Sequence, residues 1–267
     1  MTIDAHQHFW TYQPNGFEWI TDEMATIRRN FWPEDLGPVL ASCGIDGSVL
    51  VQVSQEEAEN ERFLAYAEAH PFIKGTVGWI DLKAATARER IAHYAARPLF
   101  KGARHILQAE APGFMTDPAF VRGVRLLREY DLTYDILTTE VQLPEVVRFV
   151  RALPEMRLVI DHISKPDIRA GSIDEWSRYM RELSAMEHVH VKLSGMVTEA
   201  NWREWSADTL RPYVDHCLEH FGPARLMYGS DWPVCLVAGT YEAVHTALQD
   251  CIAELSVDER AQIMGGT

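Results

Sequence analysis

Two histidines separated by one residue stand at the start of the chain and are the first side chains that could do chemistry together. His6 and His8 follow directly after residues 2–5, a short stretch typical of a strand. Alternate side chains of a strand project from one face, so both imidazoles point the same way. Such a pair can bind one metal ion or one substrate. The same spacing recurs at His188 and His190, so the fold must decide which pair is functional.

The elements that position these side chains alternate between short β-branched runs and longer segments with helical periodicity. Eight such strand and helix pairs follow one another along 267 residues, without a linker or composition break. SVLVQV at 48–53 and RLVID at 157–161 are apolar with little alternation, which is typical of parallel strands covered on both faces. The pattern predicts an α/β fold, a (β/α)8 TIM barrel formed as a single domain over residues 1–267.

The rival fold is a doubly wound parallel sheet. It would normally carry a glycine-rich phosphate turn after its first strand, and neither G-x-G-x-x-G nor G-x-x-x-x-G-K is present. The long aromatic-rich segment at 9–32 precedes the first predicted helix. We expect it to cover the mouth of the barrel as a loop.

Composition excludes several classes of function. A formal net charge of −14 without a basic run argues against a nucleic-acid partner. The sequence shows no apolar stretch of the ~20 residues that span a bilayer and no export signal, so no membrane partner is expected. The four cysteines form no C-x-x-C pair and are expected to be reduced, which predicts a cytoplasmic protein.

In a barrel of this kind, functional residues lie at the carboxyl ends of the strands. His188 and His190 do not meet that test, because they fall at the start of their strand and belong to the opposite end of the barrel. The predicted central set is His6, His8, His162 and Asp231. The fourth strand is expected to bring three further side chains nearby, namely Lys101, Arg104 and His105.

Three imidazoles and one carboxylate support two kinds of chemistry. They suit one zinc or manganese ion, which can lower the pKa of bound water to about 7. They can also work without metal, with imidazoles polarising a carbonyl group while Asp231 removes a proton from water.

Three motifs resemble the amidohydrolase 2 branch of the amidohydrolase superfamily. They are HQHFW at 6–10, DHISKP at 161–166 and YGSDWP at 228–233, and the match runs along essentially the whole chain. Longer stretches are similar to bacterial sugar-lactone hydrolases, L-fuconolactonases in particular: GWIDL at 78–82, KGARHILQ at 101–108, KLSGMVTEANW at 192–202 and GSDWPVCL at 229–236. The resemblance implies a (β/α)8 barrel, the same central set and hydrolysis of a small-molecule sugar lactone.

The resemblance also limits the metal content. Binuclear members of the superfamily carry a bridging Lys or Glu at the fourth strand and a further His at the fifth. Here those strands offer Arg104, His105 and Asp135 instead. The expectation is therefore one ion at His6, His8, His162 and Asp231, or none.

Lactone hydrolysis suggests a role for each catalytic candidate. Asp231 is expected to activate water as general base, and His162 to polarise the lactone carbonyl. The acid for the departing ring oxygen is either Asp231, returning its proton, or His105. Sugar hydroxyls and C–H groups need polar partners and an aromatic wall. The predicted substrate-binding residues are Lys101, Arg104, Lys165, Glu199, Trp32, Trp79 and Trp232.

Two other functions remain open at this stage. A metal-dependent decarboxylase on the same scaffold would need a firmly bound metal and would leave lactones unchanged. A non-catalytic sugar-binding barrel is disfavoured, because a binder has no need for a base beside three imidazoles. The sequence leaves the sugar, the ring size and the oligomeric state undecided.

Overall fold

Eight parallel strands form one sheet whose spatial order follows the chain. The structure, a computed structural model, describes residues 1–267. Each strand pairs with its sequence neighbours, and the predicted (β/α)8 barrel is confirmed. The strands are β1 Ile3–Gln7, β2 Gly47–Val51, β3 Ile73–Gly78, β4 Phe100–His105, β5 Thr133–Ile136, β6 Leu158–Ile160, β7 Val189–Leu193 and β8 Leu226–Tyr228.

A helix follows every strand, and two short helices are added to the predicted pattern. None of the helices is long and apolar enough to cross a membrane. Those that follow the strands are α1 Pro33–Ser42, α2 Glu57–Ala69, α3 Ala87–Ala95, α4 Pro118–Leu127, α5 Leu143–Ala152, α6 Asp174–Ser184, α8 Ala207–Phe221 and α9 Tyr241–Cys251. The additional helices are α7 Met196–Glu199, between β7 and α8, and α10 Val257–Ala261, after α9.

The helices pack on the barrel through one apolar face. In α5, Val146, Phe149 and Val150 recur at helical spacing and are buried, whereas Arg148 and Arg151 on the other face are exposed. Burial of each such large apolar side chain contributes about 2 kcal/mol. The outer layer of the core therefore holds the strands in place from outside the barrel.

Two backbone hydrogen bonds close the barrel between β1 and the segment after β8. The amide of His8 donates to the carbonyl oxygen of Trp232 at 2.7 Å, and the amide of Asp231 donates to the carbonyl oxygen of His6 at 2.9 Å. Closure therefore joins the two chain segments that carry three of the four predicted central residues.

An irregularity in β1 determines which of its side chains face the barrel interior. Strict alternation would place Asp4 and His6 on the same face. The pairing of β1 with β2 shifts register between Asp4 and Gln7. Asp4 consequently accepts hydrogen bonds from Ser230 Oγ at 2.6 Å and from the hydroxyl of Tyr241 in α9 at 3.1 Å, outside the barrel.

A left-handed turn follows β6. Residues 162–165 have φ angles of 53°, 47°, 60° and 48°, although none is glycine. Each such residue costs roughly 1–2 kcal/mol, so the surrounding contacts must hold the turn. The hydroxyl groups of Thr138 and Ser164 lie 2.9 Å apart, and the indole N–H of Trp176 donates to the carbonyl oxygen of Ile163 at 2.7 Å. The turn brings both of its ends to the mouth of the barrel.

Gly195 provides a test of how closely the strand ends are packed. It has a φ of 64°, and a Cβ there would lie 2.6 Å from Nδ1 of His162. Gly44 has a similar φ of 68°, with no atom within 4 Å of such a Cβ. Both alanine variants should lose about 1 kcal/mol of unfolding free energy to backbone strain. Gly195→Ala should lose about 1–3 kcal/mol more, because the ring of His162 must move.

Urea unfolding of the two variants beside the parent protein measures this difference. Gly44→Ala is the control for the left-handed backbone alone. Equal losses in the two variants would show that the contact with His162 carries no energetic weight.

Candidate active site

Three of the predicted residues meet at the carboxyl ends of β1 and β8. Nε2 of His6 lies 3.1 Å from Nε2 of His8, which lies 3.3 Å from Oδ1 of Asp231. Nε2 of His162, at the start of the left-handed turn, lies 3.8 Å from the same oxygen. All four side chains are almost completely buried. The structure thus brings the predicted central set together.

The hydrogen-bond partners determine which imidazole nitrogens carry protons. Nδ1 of His8 lies 2.8 Å from the carbonyl oxygen of Val51, which can only accept, so Nδ1 is the donor. A guanidinium group can only donate, and Nη1 of Arg104 lies 3.2 Å from Nε2 of His6. Nδ1 of His6 lies 3.4 Å from Oδ1 of Asp161, an acceptor, and 3.4 Å from Nζ of Lys192, a donor. The shorter Arg104 contact at Nε2 and the carboxylate at Nδ1 favour neutral His6 with its lone pair on Nε2 and its proton on Nδ1.

These assignments leave three acceptor atoms facing one another. They are Nε2 of His6, Nε2 of neutral His8 and Oδ1 of Asp231. Lone pairs that face one another in this way can share one divalent metal ion. Nitrogen and carboxylate ligands suit a divalent ion. The second ring nitrogen of a metal-binding histidine usually donates a hydrogen bond to oxygen, as Nδ1 of His8 does to Val51. The residues therefore fit a single divalent metal ion.

Arg104 reaches this group from β4 and is held on several sides. Its Nε and Nη2 donate to the side-chain oxygen of Gln52 at 3.2 and 2.9 Å, and Nη2 also donates to the carbonyl oxygen of Gln52. Nη1 donates to Oδ2 of Asp161 at 3.0 Å. The side chain is only 4% exposed, so its direction is set by these partners.

Beneath His6, the barrel interior contains a buried ionic cluster that we define as Asp135, Asp161, Lys192 and Arg104. Nζ of Lys192 pairs with Asp135 and lies 3.0 Å from Oδ1 of Asp161. Burial alone would raise the pKa of Asp161, but Lys192, His6 and Arg104 outweigh it and hold that pKa well below its usual range. Two carboxylates and two cations balance, which makes their burial tolerable.

The charge states of Asp231 and His162 follow from their burial and from the neighbouring charged groups. Burial would raise the pKa of Asp231, but the opposing effects of His162 and then of His8 and His6 are larger, and the net pKa is lowered. The carboxylate is therefore ionised at neutral pH. Burial lowers the pKa of His162 to about 4, so this ring is neutral at the same pH. Nδ1 of His162 lies 2.8 Å from Oγ of Ser194, which orients the ring.

A cavity of about 290 Å³ opens above these residues. Its polar side is formed by His8, Arg104, Gln108, His162, Lys165 and Asp231. Its apolar side includes Trp10, Trp19, Val53, Ile106, Leu137 and Val234. An apolar wall facing a few convergent polar groups is typical of a small-molecule site.

Lys165 and Glu199 form an ion pair at the edge of the cavity. Nζ of Lys165 lies 3.7 Å from Oε1 of Glu199, and Lys165 lines the cavity. Burial raises the pKa of Glu199. Both residues belong to the set that the sequence predicts to contact a substrate.

The structure contradicts the predicted place of Lys101. This residue is the second of β4, so it lies at the amino ends of the strands. It lines a separate cavity there, with Thr133, Arg157 and His190. The second histidine pair accordingly belongs to this end, as expected. The barrel separates Lys101 from the mouth, so it cannot contact a substrate bound beside Asp231.

His105 and Trp79 do not take the places predicted for a catalytic acid and a substrate contact, because they are hydrogen-bonded to each other. The indole N–H of Trp79 donates to Nδ1 of His105 at 3.2 Å, and Nε2 of His105 lies 2.8 Å from a carboxylate oxygen of Glu110. The ring of His105 stacks on Phe114 at a centroid distance of 4.9 Å. Neither residue lines the mouth cavity. With both nitrogens engaged, His105 is not placed to protonate a leaving group.

The tryptophans that line the cavity differ from those predicted to contact the substrate. Trp232 is 3% exposed and packs edge to face on Phe31 at 5.1 Å, and Trp32 is exposed without lining the cavity. Trp10 and Trp19 from the segment at 9–32 line it instead. The segment at 9–32 therefore covers the mouth, as predicted, and does so through Trp10 and Trp19 rather than Trp32.

Sequence reasoning missed Gln52, Asp161 and Lys192 as parts of the site. Asp161 and Lys192 stand inside the quoted motifs DHISKP and KLSG, so their motif membership was an available signal. Gln52 directly follows β2 and had the positional signal of a strand end. No local pattern reveals that Lys192, within β7, points into the barrel toward His6.

Comparison with known proteins adds an independent line of support. A family model described as Amidohydrolase matches residues 3–267. The chain is 38% identical to an L-fucono-1,5-lactonase of Burkholderia multivorans over 279 aligned residues, covering 100% of this chain and 94% of that protein. It is also 38% identical to an L-fucono-1,5-lactonase of Burkholderia ambifaria, with 99% of this chain and 92% of that protein covered.

A solved structure gives the same result. The crystal structure of an amidohydrolase from Burkholderia multivorans with bound zinc has a TM-score of 0.96 and 37% sequence identity to this chain, covering 100% of this chain and 97% of that one. The three motifs at the strand ends, the barrel and these similarities agree, and the chain therefore belongs to the amidohydrolase family.

Proposed function

We propose that this chain, acting as one catalytic domain over residues 1–267, hydrolyses a sugar lactone to the free sugar acid, with L-fuconolactone or a close analogue as substrate. The observation that carries the proposal is an ionised Asp231 among three imidazoles at the base of a cavity of about 290 Å³. The similarity to two L-fucono-1,5-lactonases supports the substrate class.

In the first step, Asp231 acts as general base. Its carboxylate takes a proton from water, and the water oxygen forms a bond to the lactone carbonyl carbon. Nε2 of His162 faces Oδ1 of Asp231, an acceptor, at 3.8 Å, so the proton of this neutral ring is assigned to Nε2 and Nδ1 accepts from Oγ–H of Ser194. This N–H group, at the floor of the cavity, stabilises the oxyanion that develops on the carbonyl oxygen.

In the second step, the tetrahedral intermediate collapses and the bond between the carbonyl carbon and the ring oxygen breaks. Asp231 returns its proton to the departing alkoxide, which removes the need for His105. The new carboxylic acid loses its proton to solvent at neutral pH, and the guanidinium group of Arg104 faces the resulting carboxylate. Lys165 and Glu199 bind sugar hydroxyls, and Trp10 and Trp19 contact the C–H face of the ring.

We also propose that the site holds one divalent metal ion, zinc or manganese, which is not essential for turnover. His6, His8 and Asp231 would hold it, with His162 beside them. When bound, the ion supplies Lewis-acid polarisation and lowers the pKa of a bound water. The related Burkholderia multivorans structure contains bound zinc, which supports zinc as the candidate ion.

A cytoplasmic location is part of the same proposal. The chain has four cysteines, and all four are free thiols. Reduced thiols are the usual state in a cytosol.

Acid release from a panel of deoxy-sugar and pentose lactones, followed before and after chelator treatment, tests the function. We expect turnover of L-fuconolactone or a close analogue that survives chelation, because Asp231 and His162 supply base and donor. Absence of acid release from every lactone, with or without added zinc or manganese, would refute lactone hydrolysis.

Asp231→Asn tests the general base. The substitution keeps the shape of the side chain but removes the proton acceptor, so kcat should fall by roughly 10²–10⁴-fold while the fold is retained. Steady-state kinetics on the best lactone measures it. Asp167→Asn, at an exposed position beyond the left-handed turn, serves as control and should match the parent. A kcat within twofold of the parent for Asp231→Asn would remove Asp231 from this role.

Trp19 and Trp32 form a matched pair that tests the aromatic wall. They are 43% and 44% exposed, but only Trp19 lines the cavity. Trp19→Ala should raise KM by about tenfold with little change in kcat, because contact with the sugar ring lowers the free energy of bound substrate and transition state alike. Trp32→Ala should leave both constants unchanged. Equal effects of the two substitutions would contradict the assignment of the wall.

A further inference from the structure

We propose that Arg104 and a divalent metal ion compete for the same lone pair on Nε2 of His6, so that Arg104 sets how tightly the site binds metal. The inference rests on the metal donor set proposed above. It does not depend on the substrate being a lactone.

The competition follows from the valence of one nitrogen atom. A neutral imidazole offers a single lone pair, and on His6 it lies on Nε2, 3.2 Å from Nη1 of Arg104. A lone pair that accepts an N–H hydrogen bond is not free to coordinate a metal ion. Metal binding at His6 therefore requires Nη1 of Arg104 to move away from Nε2.

The anchors of Arg104 make that movement costly. Gln52 accepts from Nε and Nη2, and Asp161 accepts from the same Nη1 that faces His6. A guanidinium group keeps its charge at any pH at which the protein folds, so deprotonation cannot relieve the conflict. Arg104 is consequently held in its contact with His6 and does not move freely in the cavity.

Charge acts in the same direction as the lone pair. The ionic cluster of Asp135, Asp161, Lys192 and Arg104 is balanced, so it contributes no net negative charge beneath His6. Removal of the guanidinium leaves one negative charge uncompensated there, which attracts a divalent cation. Both effects predict that the parent protein binds metal weakly and that loss of Arg104 tightens binding.

Zinc affinity, measured by competition with a chromogenic chelator, tests this without reference to turnover. We expect Arg104→Met to bind Zn²⁺ at least about tenfold more tightly than the parent, since it loses a like charge a few ångströms from the ion. Arg157→Met is the matched control, because Arg157 lies at the opposite end of the barrel, and its zinc affinity should equal that of the parent. Unchanged or weaker binding by Arg104→Met would refute the proposal.

A double-mutant cycle separates competition for the lone pair from general electrostatics. His6→Asn removes Nε2, so Arg104→Met should tighten zinc binding far less in the His6→Asn background than in the parent. The same gain in both backgrounds would show that Arg104 acts through charge alone, contrary to the proposed competition for one lone pair.

A crystal structure of the parent protein soaked with zinc covers the case in which Arg104→Met does not fold. The proposal requires Nη1 of Arg104 to lie beyond hydrogen-bond distance of Nε2 of His6 wherever zinc is bound to that nitrogen. Simultaneous zinc coordination and a short contact with Arg104 would overturn it. Failure of lactone turnover would leave these results unaffected, so the two proposals are judged separately.

Discussion

The hydrogen bonds between β1 and the segment after β8 are the contacts on which the rest of the molecule depends. The amide of His8 and the amide of Asp231 each donate across the seam that closes the barrel. The same residues carry side chains that meet at the mouth, 3.3 Å apart. Barrel closure and assembly of the site are therefore a single structural event, and distortion of the seam changes both.

Burial of charge is the second constraint, and the site meets it by neutralisation. The interior of a barrel has a low dielectric constant, so an unpaired charge there is very costly. Asp161 connects the two cations of the ionic cluster, since it contacts Lys192 at 3.0 Å and Arg104 at 3.0 Å. It also faces Nδ1 of His6, which links the balance of charge inside the barrel to the tautomer of a residue at the reactive end.

The two sides of the mouth cavity divide the work of binding and chemistry. The polar floor comes from strand ends, which are rigid because neighbouring strands and helices hold them. The apolar wall comes largely from loops, and Trp19, on the segment at 9–32, is nearly half exposed. Substrate can therefore contact an exposed aromatic surface first and reach a preorganised group of donors and acceptors beneath it.

The strained turn after β6 shows how tertiary contacts support function. Four consecutive residues in the left-handed region are unfavourable by themselves. The hydrogen bond that Trp176 in α6 donates and the hydrogen bond between the hydroxyl groups of Thr138 and Ser164 offset that cost. The outcome is that His162 and Lys165 both line the cavity, although they are three residues apart on a sharply turning backbone.

The sequence by itself determined the barrel and the residues whose positions follow from strand ends. Periodicity and strand order are local properties, and they placed His6, His8, His162 and Asp231 at the mouth before any contact was known. Tertiary structure alone decided which side chains surround them. Lys101 was placed at the wrong end because the sequence does not show at which residue its strand begins. Trp32 was placed at the mouth because the sequence does not show that the segment at 9–32 folds back on itself. The pairing of Lys192 with Asp135 and the contact of Arg104 with His6 join residues far apart in the chain, so the three-dimensional packing of the barrel determined them.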